Sequence, residues 1–150
     1  MVVLSPHFVM SSFKTLPKNS ADWVLLLVRV SVGATFIAHG ITKWATWNEP
    51  TQGGMDLIMK LLGLLEPVMG AATILGLLAP VAAVVLGVVM LGAIYMKMFM
   101  FGGTFAGKGG WEFDLSLLAG NAVLYVFGPG ALSMDTILRN NMEKKPKKKR

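Results

Sequence analysis

Four stretches of the chain are apolar for long enough to form membrane-crossing helices, at about residues 22–46, 56–78, 80–101 and 111–128. Short polar or glycine-rich segments separate them: NEPTQGG after the first, Ala79 and Pro80 after the second, FGGTFAGKGG after the third and Gly-Pro-Gly at 128–130 after the fourth. The pattern predicts an all-α fold, an integral membrane four-helix bundle over 22–130, preceded by a mixed arm at 1–21 and followed by a basic tail at 131–150. Ser20 or Asp22 is suited to cap the first helix and Pro80 to open the third.

The polar residues inside these runs are not scattered. On a helix, Arg29, Gly33, Phe36, Gly40 and Lys43 share one face of the first span, with His39 beside them. Gly63, Glu66, Gly70, Thr73 and Leu77 do the same in the second span, and Gly87, Met90, Ile94 and Lys97 in the third. In the fourth, Asp114 and Asn121 lie together while Glu112 points nearly opposite. Lipid offers these groups no hydrogen bonds, so the polar faces must meet protein or a water-filled cavity. Pro67 has no amide proton, which frees the carbonyl of Gly63 close to Glu66. With about 1.5 Å of rise per residue, Glu66 and Asn121 fall near mid-membrane, and Arg29 falls roughly 8 Å to one side, within reach of Glu66. Lys43, Lys97, Glu112 and Asp114 crowd the other side. Three cations then balance three carboxylates, which predicts pairing.

Composition sharpens this picture. Apolar residues make up 54% of the chain and charged ones 15%, with a mean hydropathy of +0.61; one membrane domain is expected. Cysteine is absent, which excludes disulfides, thiolate ligation and iron–sulfur clusters. His7 and His39 are the two imidazoles, so neither a metal site nor a covalent cofactor is expected. The net charge of +6 is not a nucleic-acid signal, because half of the fourteen basic residues lie between Arg139 and Arg150. The run EKKPKKKR fits the positive-inside rule and attraction to anionic lipid, placing both termini in the cytoplasm and the protein in the cell's inner membrane. Trp23 at the inner end of the first span, and Trp44, Trp47 and Trp111 at outer ends, agree with an aromatic belt. FGGTFAGKGG lacks the ending of a P-loop and the strand context of a dinucleotide fingerprint, so it reads as a flexible outer loop.

Taken together, R-x3-G-x2-F-x2-HG-x2-K at 29–43, E-P-x2-G at 66–70, G-W-E at 110–112 and GPGALSMD at 128–135 resemble the DoxX family of small four-helix bacterial and archaeal membrane proteins. The resemblance covers Arg29 to Asp135 and departs at Met134, where leucine is more usual. It implies that Arg29, His39, Lys43, Glu66 and Glu112 take the positions of the family's typical polar residues. It also implies a redox-associated subunit, since the family's name comes from a membrane subunit associated with thiosulfate:quinone oxidoreductase and terminal quinol oxidase assemblies. No side chain here stores an electron at ordinary potential, so that role needs a quinone or a partner protein carrying the redox centre.

The candidate ligand-binding residues are accordingly Arg29, His39, Lys43, Glu66, Glu112 and Asn121. Arg29 or His39 would donate to a quinone carbonyl and Glu66 would exchange protons. Two other readings stand beside this one. In the first, the polar network is structural and the protein is a scaffold whose tail or outer loop recruits a partner. In the second, an oligomer of the chain forms a transport path.

Overall fold

The computed structural model describes residues 19–49 and 55–143. The arm at 1–18, most of the first loop (50–54) and the lysine-rich end (144–150) lie outside the described residues. Those described form five α-helices: α1 (Ser20–Ala45), α2 (Asp56–Leu75), α3 (Ala79–Tyr95), α4 (Glu112–Phe127) and α5 (Met134–Glu143). A π-helical segment, Met96–Met100, continues α3. Three stretches are long and apolar enough to cross a membrane, namely α1, α2 and the continuous Ala79–Met100. At 16 residues, α4 rises about 24 Å, less than the roughly 30 Å hydrocarbon core.

Helix α2 stops three residues earlier than its hydropathy suggests, and the reason is local. Gly76 adopts the left-handed conformation at φ 64°, and the amides of Gly76 and Leu77 donate back to the carbonyls of Thr73 and Ala72.

Helix α1 packs along α2, and α3 packs along α4. The two hairpins then join through α2 with α3 and α1 with α4. Val32 and Phe36 of α1 meet Leu86 and Met90 of α3 and Leu117 of α4 in the core. Leu27, Leu61, Val88 and Val126 remain exposed on the outside, as lipid-facing side chains do.

The register of α1 against α2 is set where the two backbones nearly touch. A Cβ on Gly33 would stand 2.5 Å from the carbonyl oxygen of Gly70, and a Cβ on Gly70 would stand 2.7 Å from that of Gly33. One end further on, Gly40 leaves room for the ring of Pro67. The carbonyl that Pro67 releases is indeed taken by a donor: the indole Nε1 of Trp44 reaches the oxygen of Gly63 at 2.7 Å. A freed carbonyl was expected at that place, and Trp44 satisfies it.

The segment after α4 corrects the sequence reading twice. Residues 134–143, expected as part of a tail, form helix α5, because Ser133 accepts the amide of Thr136 and so caps its first turn. Asp22, expected to cap α1, instead accepts the amide of Ala131 at 2.7 Å, and α1 begins without a side-chain cap.

The same segment caps a distant helix. Asp135 accepts the amides of Leu78 and Ala79 at 2.9 and 3.0 Å, supplying from another part of the chain the cap that α3 lacks locally. It thereby holds Leu78 at φ 50°, a conformation side chains resist. Asp135→Ala is expected to lower stability by about 1–2 kcal/mol, the usual worth of an N-cap. A thermal melt of the detergent-solubilised protein reads this directly, and an unchanged midpoint would show that α3 does not depend on the cap.

Candidate functional site

Between the two hairpins, near the end where α1 and the π-helical segment finish, lies a cavity of about 500 Å³. Its walls are mostly apolar, with Phe36, Leu62, Val89, Met90 and Leu117 among them, and its polar groups are His39, Lys43, Glu66, Lys97 and Asp114. Each hairpin contributes one ion pair. In the first, Lys43 of α1 reaches Oε2 of Glu66 on α2 at 2.5 Å. In the second, Lys97 of the π-helical segment reaches Oδ2 of Asp114 on α4 at 2.6 Å.

The two pairs are built alike. Glu66 and Asp114 are deeply buried, with side chains 4% and 8% exposed, whereas their lysine partners are 22% and 31% exposed. Each carboxylate is therefore an interior anion met by a cation reaching in from the accessible side. The register of α1 and α2 explains the first pair, because the close approach at Gly33–Gly70 and Gly40–Pro67 carries Lys43 alongside Gly63 and Glu66. The second pair depends on the π-helical segment, in which the backbone widens by one residue per turn and re-aims Lys97. Lys97 also donates to the carbonyl of Gly110 at 3.1 Å, fastening the loop before α4.

His39 and Phe113 stand at the exposed edge of this cavity, their rings stacked with centroids 5.7 Å apart. Lys43 and Met59 belong also to a second cavity of about 100 Å³, bordered by Thr46, Trp47, Glu49, Asp56 and Lys60. Lys43 thus borders both cavities.

Of the six residues expected at the site, His39, Lys43 and Glu66 line the cavity, and Arg29, Glu112 and Asn121 do not. Arg29 is 2% exposed and donates four hydrogen bonds to backbone oxygens. Nε reaches Thr73 at 3.2 Å and Nη2 reaches Ile74 at 2.6 Å. Nη1 serves both Pro129 at 2.6 Å and Leu132 at 2.9 Å. The expected approach to Glu66 does not occur, since the register sets Arg29 against the last turn of α2, where helix carbonyls lack helical partners.

Glu112 accepts the amide of Gly107 at 3.2 Å and so organises FGGTFAGKGG. That loop is folded rather than slack, with the Phe105 and Trp111 rings edge to face at 4.7 Å. Asn121 is buried against α3 and donates to the carbonyl of Leu117 at 2.9 Å. The candidate set drawn from the sequence left out Lys97 and Asp114, although both were counted among the charges expected to pair. The balance of cations and carboxylates was the signal that called for both.

The sequence comparison bears on this arrangement directly, because the DoxX family model matches residues 24–101, about half of the chain. The chain belongs to the DoxX family. The DoxX match takes in α1, α2, α3 and the π-helical segment, and with them Arg29, His39, Lys43, Glu66 and Lys97. Asp114 and the 128–135 segment lie beyond it. No curated protein and no solved structure matched the chain. Membership of DoxX and three helices of spanning length and apolarity make this an integral membrane protein.

Proposed function

We propose that the cavity between the hairpins binds a quinone or a similar isoprenoid amphiphile, and that the protein serves as the membrane subunit of a redox assembly. The observation that carries this reading is the pair of inward-facing ion pairs across an otherwise apolar chamber. Its volume lies within the roughly 300–1,000 Å³ of small-molecule sites, which are largely apolar with a few placed polar groups. A quinone offers two acceptor oxygens on opposite sides of a flat ring and an apolar tail. Lys43 with His39 on one wall, and Lys97 on the other, supply donors for such a head. Phe36, Leu62 and Met90 supply contacts for a ring and the start of a tail.

A bound quinone would supply the two-electron chemistry that no residue of this chain provides. The chain's own groups do the rest: the ammonium groups orient the head and donate to it, Glu66 and Asp114 hold those ammonium groups in place and can accept a proton beside it, and the apolar walls keep out bulk water. Electrons would come from a partner protein. In this reading α4, with its flanking residues, completes a four-helix, four-span bundle in the inner membrane. Both termini are cytoplasmic, with the 128–135 segment on the cytoplasmic side and the cavity toward the opposite face.

The test is to extract the protein gently from its native membrane and quantify bound quinone by mass spectrometry, beside Glu66→Gln and Asp114→Asn proteins shown to be folded. The wild type is expected to carry near-stoichiometric quinone and each variant about ten- to hundredfold less, the effect of disturbing a charge-assisted contact. Equal trace amounts in all three would discard the quinone reading. The scaffold reading would then stand, supported by the commitment of four of the five Arg29 N–H donors to backbone.

A further inference from the structure

Among the described residues, helix α5 leaves its apolar side chains uncovered. Met134, Ile137, Leu138 and Met142 fall along one stripe, interrupted by Asn141, and all four are exposed. Asp135, Thr136, Arg139, Asn140 and Glu143 occupy the opposite side. A ten-residue helix with such a stripe gains nothing from water, so something apolar must cover it.

Two observations identify the cover. The first is position. The start of α5 is fastened to the ends of the apolar helices: Asp135 holds the first turn of α3, and Ala131 donates to Asp22 in the first turn of α1. Beside Asp22 stands Trp23, 63% exposed, an aromatic side chain of the kind that marks the boundary between hydrocarbon and water. Helix α5 therefore begins at the level of a bilayer surface. The second observation is charge. The sequence continues from α5 as KKPKKKR, and six of those seven residues are cationic.

We propose that α5 is an interfacial helix, its apolar stripe sunk among the acyl chains just beneath the headgroups, and that it binds the anionic phospholipids of the leaflet at this end of the bundle. An amphipathic helix followed by a basic cluster combines apolar burial with attraction to anionic headgroups, and both contributions are needed for firm attachment. The clasp at 128–135 makes the attachment consequential, because a pull on α5 is transmitted to Asp135 and so to the first turn of α3.

The absence of cysteine makes the test direct. Leu138→Cys on the stripe, Met142→Cys as a second stripe position and Glu143→Cys on the far side are each labelled with the environment-sensitive dye NBD. The full-length proteins are placed in nanodiscs of phosphatidylcholine with or without phosphatidylglycerol. In anionic discs, NBD at 138 and 142 is expected to emit to the blue of NBD at 143. It is also expected to be quenched several-fold more by lipids bearing a nitroxide near the headgroup. Equal, water-like emission at all three positions would overturn the proposal. Protection of the stripe without nitroxide quenching, and only in discs holding two copies, would assign the face to a second copy of the chain. Equal protection without phosphatidylglycerol would overturn the assignment to anionic lipid.

Discussion

Arg29→Ala is expected to abolish the native fold rather than a ligand contact. The guanidinium is buried and spreads four donated hydrogen bonds over two places, the last turn of α2 and the segment that follows α4. Hydrogen bonds from a charged donor contribute about 1.5–3 kcal/mol each, and removing such a hub strands several buried oxygens at once. A loss of at least about 3–5 kcal/mol follows, comparable with breaking a buried ion pair and a large share of a domain's total stability. Arg29→Lys is expected to fare little better, because one ammonium cannot reproduce the planar fork that reaches both places. The measurement is the yield of monodisperse protein in mild detergent together with its thermal midpoint. A well-folded Arg29→Ala protein that had lost only its quinone would show that the guanidinium serves the ligand after all.

The second large effect is expected at the crossing of α1 and α2. Gly33→Val places side-chain carbons where the carbonyl oxygen of Gly70 and the side chain of Ile74 already stand. A flexible side chain can move aside, but a helix backbone cannot. Overpacking a tight core costs about 1–3 kcal/mol. Here the cost falls toward or beyond the upper end, because the whole of α1 must shift. Spreading the helices at this point would also draw Lys43 away from Glu66, so the cavity should lose its first ion pair in the same variant. The expected readout is a thermal midpoint lowered by several degrees, together with lost quinone. Substitution of Gly92, which has open space around it, serves as the comparison and should melt near the wild type.

Much of the architecture could be read from the chain because spanning helices obey a simple constraint. A run of apolar residues long enough to cross lipid has few alternatives, and the faces carrying Arg29, Gly33, Phe36 and Gly40, or Gly63, Glu66, Gly70 and Thr73, turn out to be the buried ones. Periodicity identifies which side of a helix is inward. It does not say which residue of the neighbouring helix stands opposite. Depth counted from span centres matched Arg29 with Glu66, whereas the glycine contacts slide α2 so that Lys43 meets Glu66 and Arg29 meets the end of the helix.

Lys97, though counted among the charges expected to pair, stayed out of the candidate site for a related reason, since it lies in a π-helical segment that no periodic pattern announces. Helix α5 was hidden by its composition. A polar ten-residue stretch beside a lysine run reads as tail until Ser133 is seen to cap it.

The clasp at 128–135 has a consequence for how the protein is made. Arg29 emerges from the ribosome 100 residues ahead of Pro129 and 103 ahead of Leu132, and α3 precedes its cap at Asp135 by more than fifty. Throughout that interval a cation in the first apolar helix lacks two of its oxygens, and a helix start lacks its acceptor. Both deficits end with the arrival of the same eight residues. A nascent chain interrupted before them keeps both groups short of their partners, so the packing of α1 against α2 and the start of α3 are completed together and last.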